Sequence, residues 1–330
     1  MLIAAALVLI VPLTPMLRIL LPVDQTVVLI APALATCALA GWWAGGRLPL
    51  TLAWTGLAVL VLWQFTAGQG AMSQLACAWA ILLALVFASV SVVGPRVAES
   101  QRPFFPRAAL AIGVTFAIAA IAVLAIPDGL TTVLETLRTD VNQRGVTALA
   151  AWHETIGTTE WMDFAGQHPD AGAMAKQVEV QLQGLPGIAL MLVPAMLALE
   201  SLATLALVWA VYHRVGRVRL GLPLAALRDF RFNDQYVWAM VVGLALLVVP
   251  WFTKLSGAGA NLLVFGGAIY ALRGLGVALW FLAPGRLVMT LLIVFSIFFW
   301  HVLGVLAIGL GLGDTWLDWR SRARQQAERK

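Results

Sequence analysis

Ala271-Leu272-Arg273-Gly274-Leu275-Gly276-Val277-Ala278 is the stretch whose reading decides the fold. It sits in the middle of an apolar run from Asn261 to Ala283, and a helix of roughly 20 apolar residues crosses a bilayer. Arg273 stands near the centre of that run. A guanidinium at such a depth costs roughly 2.5–3.5 kcal/mol on insertion scales unless it meets an acid or water. The other segments must therefore pack so as to shelter it. Gly266, Gly267, Gly274 and Gly276 supply the small surfaces that let helix backbones approach closely in a membrane. Gly274-Leu275-Gly276 is no dinucleotide fingerprint, because no strand leads into it.

The rest of the chain is of the same kind. Of its 330 residues, 61% are hydrophobic and 11% charged, and the mean hydropathy is +0.90. A soluble domain carries about 25% charged residues, so lipid has to be the solvent for much of this surface. The net charge of +5 is concentrated in short segments beside apolar runs. That is the pattern of cytoplasmic membrane loops, and no nucleic-acid partner is expected. Cys37 and Cys77 both lie inside apolar runs, which gives neither a disulfide framework nor a metal site. The N-terminal run to Leu21 has no leading basic residue, so it reads as an uncleaved span.

Hydropathy marks segments at 2–21, 25–44, 50–67, 71–94, 108–126, 187–211, 235–253, 261–283 and 287–313. The expected fold is an all-α polytopic transmembrane bundle of eight or nine hydrophobic segments. Between 127 and 185 the composition changes, with eight acidic residues against three basic ones. Leu130, Val133, Leu134, Leu137 and Val141 recur there at helical spacing, as do Val178, Leu182 and Leu185. Two amphipathic helices on the outer face are expected. The chain thus divides into a five-span region 1–126, an extracytoplasmic insert 127–185, a membrane region 186–319 and a basic cytoplasmic tail 320–330. Leu224 to Phe232 reads as a short interfacial helix.

The basic segments 45–49, 95–107 and 212–234 place the N-terminus inside and the acidic insert outside. Three further simple crossings would then leave the C-terminus outside, although Arg320, Arg322, Arg324, Arg329 and Lys330 favour the inside. Either 287–313 is a re-entrant hairpin or 261–283 breaks at Arg273-Gly274. The hairpin is the preferred arrangement.

Glu200 and Arg273 are the ionisable residues deepest in apolar runs, and such residues are functional candidates by default. They form either an ion pair or, with Asn261, the polar contacts of a ligand site. No Gly-x-Ser-x-Gly, Ser-Lys or paired-Asp pattern marks a catalytic nucleophile. His153-Glu154 and His168-Pro169-Asp170 lack the converging ligand set a metal needs. No enzyme activity, cofactor or metal is therefore expected.

Three stretches carry a family resemblance: Phe230-Arg231-Phe232-Asn233-Asp234, the segment around Arg273, and Gly311 to Arg320 with Gly313, Asp314, Asp318 and Arg320. In these the chain resembles the YybS-like family of bacterial multi-pass membrane proteins, most clearly over 186–322. The layout is also similar to the substrate-binding components of energy-coupling-factor vitamin transporters. These likenesses imply a bacterial cytoplasmic-membrane protein that binds a small molecule and works with other membrane subunits or a cytoplasmic ATPase module. The other expectation is a non-enzymatic scaffold or accessory subunit of a larger membrane complex.

Overall fold

A computed structural model describes residues 17–23, 26–67, 70–92, 103–283 and 285–328. Among these the regular structure is helical throughout, and the chain divides into two compact units meeting at Pro223–Leu224. The first unit contains α1 (Val27–Trp43), α2 (Leu48–Thr66), α3 (Ala71–Val92), α4 (Phe104–Ala125), α5 (Gly129–Ile156), α6 (Thr159–Gln167) and α7 (Pro169–Val215). The second contains α8 (Val237–Val248), α9 (Ser256–Leu282), α10 (Arg286–Phe298), α11 (Trp300–Leu317) and α12 (Trp319–Glu328).

In the first unit α1 is central, packed against α2, α3 and α7. Its Val28, Leu29, Ala31, Ala35, Cys37 and Ala38 are all buried, as expected of a helix that is apolar all round. The surrounding helices present Leu52, Val59, Leu60, Leu110, Ile121 and Leu124 outward. Water would not tolerate so extensive an apolar surface, whereas acyl chains solvate it. Proline sets two helix starts: Pro49 lies in the first turn of α2 and Pro103 immediately precedes α4. Its fixed φ and missing N–H are tolerated there because the first-turn donors have no intrahelical partner anyway. At the α4–α5 corner Asp128 takes a left-handed conformation (φ 55°), and its carbonyl accepts from the hydroxyls of Thr131 and Thr132.

Several expectations are corrected. The sequence ends the amphipathic insert at Leu185, but α7 runs unbroken from Pro169 to Val215 through Pro186 and Pro194. At 1.5 Å per residue its 47 residues extend about 70 Å. The freed carbonyls at its prolines do not end it, because packing holds the rod: the Pro186 ring lies against Gly145 of α5, where a Cβ would come within 2.6 Å of it. The seventh segment, 235–253, is a 12-residue helix followed at Pro250 by a 3-10 turn, Pro250–Leu255, since proline cannot donate the next helical hydrogen bond. Residues 224–232 contain only a 3-10 turn at Leu227–Asp229. Phe104, Phe105 and Arg107, read as loop, belong to α4 and are buried. Arg320, assigned to a polar tail, is buried in α12. The first expected span falls mainly outside the described residues, as does most of the 95–107 loop.

Five described helices are long and apolar enough to cross a membrane: α2, α3, α4, α7 and the stretch Pro250–Leu282 that contains α9. Residues 287–317 form a pair bent by 112°, the geometry of a broken span or a re-entrant loop. Counting that pair as one span, the described residues hold up to six of the eight or nine expected, and Val27–Trp43 and Asp234–Val248 are shorter apolar helices.

The second unit is built around α9, which packs on α8 and α11. The contact with α11 requires glycine. A Cβ on Gly274 would fall on the Ala307 carbonyl oxygen, and one on Gly311 on the carbonyl of Tyr270. Gly274→Ala should therefore lower the unfolding temperature, because overpacking costs about 1–3 kcal/mol. Gly304→Ala on α11, where nothing lies within 4 Å, should be neutral or slightly stabilising through helix propensity. Thermal unfolding of the purified variants checks the contrast.

Candidate functional site

The three stretches that carry the family resemblance meet in the second unit. The first, Phe230 to Asp234, has little regular structure. Its Asn233 side chain accepts from Gln235 N–H at 3.0 Å and starts the 3-10 turn Asp234–Tyr236. The second is the α9 turn carrying Arg273. The third is the corner between α11 and α12, where Asp318 is left-handed (φ 39°) and the Trp319 ring lies over Gly313.

Arg273 is 3% exposed. Its Nε donates to Asp314 Oδ2 at 3.0 Å, Nη2 to the Asp314 carbonyl at 3.3 Å, and Nη1 to Asp234 Oδ1 at 2.6 Å. Its Cζ lies 5.3 Å from the Phe232 ring centroid, within cation–π range. Arg320 also donates to Asp314 Oδ2, through Nη2 at 2.7 Å. Its Nη1 reaches the carbonyls of Arg228 and Phe230 at 3.0 and 3.2 Å. Farther out, Arg231 Nη2 pairs with Asp318 at 2.9 Å and its Nη1 donates to Ser321. One fully buried carboxylate thus receives two guanidinium groups, and two surface segments are tied to α9 through them.

This arrangement fixes charge in a dry site. Charge-assisted hydrogen bonds are about twice as strong as neutral ones, which offsets part of the desolvation of two arginines and an aspartate. The close backbone contacts of Gly274 with Ala307 and Gly276 with the Leu227 carbonyl bring α11 and the 227–229 turn within reach of Arg273. Gly266 faces Met240, and Gly267 faces Ile308, which an added Cβ would meet at 3.6 Å.

The remaining polar candidates lie elsewhere. The Asn261 side chain donates back to the Gly257 carbonyl at 2.7 Å. Glu200 belongs to the first unit and accepts from Val23 N–H at 3.2 Å, beside a Trp79–Ser201 hydrogen bond at 3.0 Å. The acids that meet Arg273 are therefore Asp314 and Asp234, both from its own unit. Among the described residues no group of three or more His, Cys, Asp or Glu side chains is gathered as a metal site.

Sequence reasoning quoted Asp314 and Arg320 as motif residues without seeing them as partners of Arg273. The available signal was an acid in the last turn of an apolar run, with an arginine six residues on. It also missed a cavity of about 580 Å³ in the first unit. That cavity lies between α5 on one side and Pro22, Val23, Val28, the end of α2 and the start of α3 on the other.

A helical chain with lipid-compatible outer faces and its deep charges paired internally is an integral membrane protein. The chain belongs to the family of predicted membrane proteins designated DUF2232, which matches residues 2–315. The match reaches well beyond the C-terminal stretches quoted above. No curated protein and no solved structure matches it.

Removing one partner of a buried ion pair costs about 3–5 kcal/mol, while an exposed pair contributes about 0–1 kcal/mol. Arg273→Leu should therefore lower the unfolding temperature strongly and Asp234→Asn only slightly; equal losses would contradict the geometry. Asp318 supplies a pH test. Burial tends to raise its pKa, but hydrogen bonding from Ser321 and the Arg231 charge outweigh this and hold it below its ordinary value of 3.8. A depressed carboxyl contributes stability above its unfolded pKa that is lost as pH falls through the folded value. Asp318→Asn should thus be less stable than wild type at neutral pH, with the gap closing as pH falls through and below 3.8.

Proposed function

We propose that this protein is the small-molecule-binding component of a membrane transport assembly. The cavity in the first unit is the observation that supports this reading. Its volume of about 580 Å³ lies in the range of small-molecule pockets, roughly 300–1,000 Å³. One face of α5 supplies Thr132, Glu135, Thr136 and Gln143, at successive helical turns, and Val28, Phe65 and Met72 lie across from them. An apolar wall facing a polar one suits an amphipathic ligand of a few hundred daltons. Arg144 braces the polar wall, through Asp140 at 2.7 Å and the Leu21 carbonyl at 2.8 Å.

The likeness of layout to energy-coupling-factor binding components, read from the sequence, is in line with this assignment. In this reading the protein lies in a bacterial cytoplasmic membrane, with the basic 212–234 segment inside and the acidic α5–α6 region outside. An ATPase module or other membrane subunits would supply the energy.

A second reading, an accessory subunit, has its own support. Val288, Leu291, Leu292, Val294 and Phe295 form an apolar surface on α10, of a kind that takes a membrane helix of another subunit. Gentle purification followed by mass spectrometry of bound small molecules and proteins separates the two. The binding reading expects a small molecule retained by wild type and lost from Thr136→Trp, which fills the cavity without altering the second unit. Identical small-molecule profiles from both proteins would sink it. A protein partner lost from Leu291→Ser would favour the accessory role.

A further inference from the structure

The charges of the second unit do not balance where they are buried. Arg273, Asp314 and Arg320 are 3%, 0% and 1% exposed, so two cations share one anion in the dry part of the site. The fourth charge, Asp234, has a side chain 60% exposed and sits on a single 3-10 turn. The other two acids on these segments, Asp229 and Asp318, pair with Arg228 and Arg231. Asp234 is therefore the carboxylate that completes the neutralisation of a sheltered positive charge, and it does so from the water side.

We infer that Asp234 is an exchangeable counter-ion, and that the Arg273 Nη1 edge it covers is a binding site for a phosphate oxyanion. Water competes for the Asp234 carboxylate, whose side chain is 60% exposed, and this weakens its hold on Arg273. An incoming anion that takes the place of the carboxylate exchanges one such contact for another. It also keeps the buried side of Arg273 on Asp314, so the fold need not open. The planar guanidinium fork suits a phosphate oxygen.

Two sources have this chemistry, a free phosphate and an anionic lipid headgroup. Trp316 and, on α12, Arg322 are exposed beside the site. Such residues collect at the headgroup level. This inference concerns the second unit alone and stands apart from the cavity reading.

The test uses the full chain, purified in an uncharged detergent. Inorganic phosphate is titrated against chloride at matched ionic strength, with the unfolding temperature as readout. Wild type should be stabilised by phosphate. Asp234→Asn, with the competing carboxylate gone, should respond at up to about fivefold lower phosphate, the change expected if about 1 kcal/mol of competition is removed. Arg273→Lys in the Asp234→Asn background should lose that gain. A response of Asp234→Asn no greater than wild type overturns the inference. So does an Asp234→Asn protein that fails to fold even in phosphate, because an exchangeable counter-ion is dispensable. Nanodiscs of phosphatidylglycerol or phosphatidylcholine then distinguish the sources. Greater stability in phosphatidylglycerol, reduced by Asp234→Asn plus Arg273→Lys, identifies the headgroup. Equal stability in the two lipids, with the phosphate response intact, identifies the free anion.

Discussion

One oxygen of Asp314 receives a hydrogen bond from each of two arginines, and the second unit is arranged around that fact. An aspartate in this position is tolerable only with cations in direct contact, because its isolated burial would cost far more than the fold can supply. The arginines are equally dependent on it. Each also reaches into a different part of the chain, Arg273 to the 3-10 turn at Asp234 and Arg320 to the carbonyls of Arg228 and Phe230. The irregular stretch before α8 is held by these bonds, since it has no helix of its own beyond single turns. The glycines at 274, 276 and 311 are the steric condition for the whole arrangement. Without them the backbones would stand too far apart for the side chains to meet.

Local composition revealed what depends on local composition. The third, fourth, fifth and eighth apolar runs correspond to α2, α3, α4 and α9 within a few residues. The need of Arg273 for shelter also followed from hydrocarbon energetics alone. The identity of its partners did not, because Asp314 is 41 residues away and Asp234 is 39, and no periodicity links them. The three stretches singled out by family likeness turned out to be neighbours in space. That is a physical reason for their standing out together.

Failures occurred where tertiary packing overrides local signals. The insert boundary expected at Leu185 falls in Gly184-Leu185-Pro186-Gly187, yet α7 passes through it because α5 packs alongside. Pro250 lies in a run as apolar as any other, yet there the helix stops. Residues 287–313, expected as a re-entrant hairpin, are not among these failures: they form two helices bent by 112°, the geometry of a broken span or a re-entrant loop.

The unbroken course of α7 has a mechanical consequence. A rod of about 70 Å cannot be contained in a hydrocarbon layer of about 30 Å at any ordinary tilt. A large part of it stands clear of the lipid, clasped by α5. Its base carries Glu200, Ser201 and Trp209 in the first unit's core. A lateral push on the projecting end is therefore delivered as torque to the bundle, because the Pro186 ring seated against Gly145 of α5 keeps the shaft from yielding there.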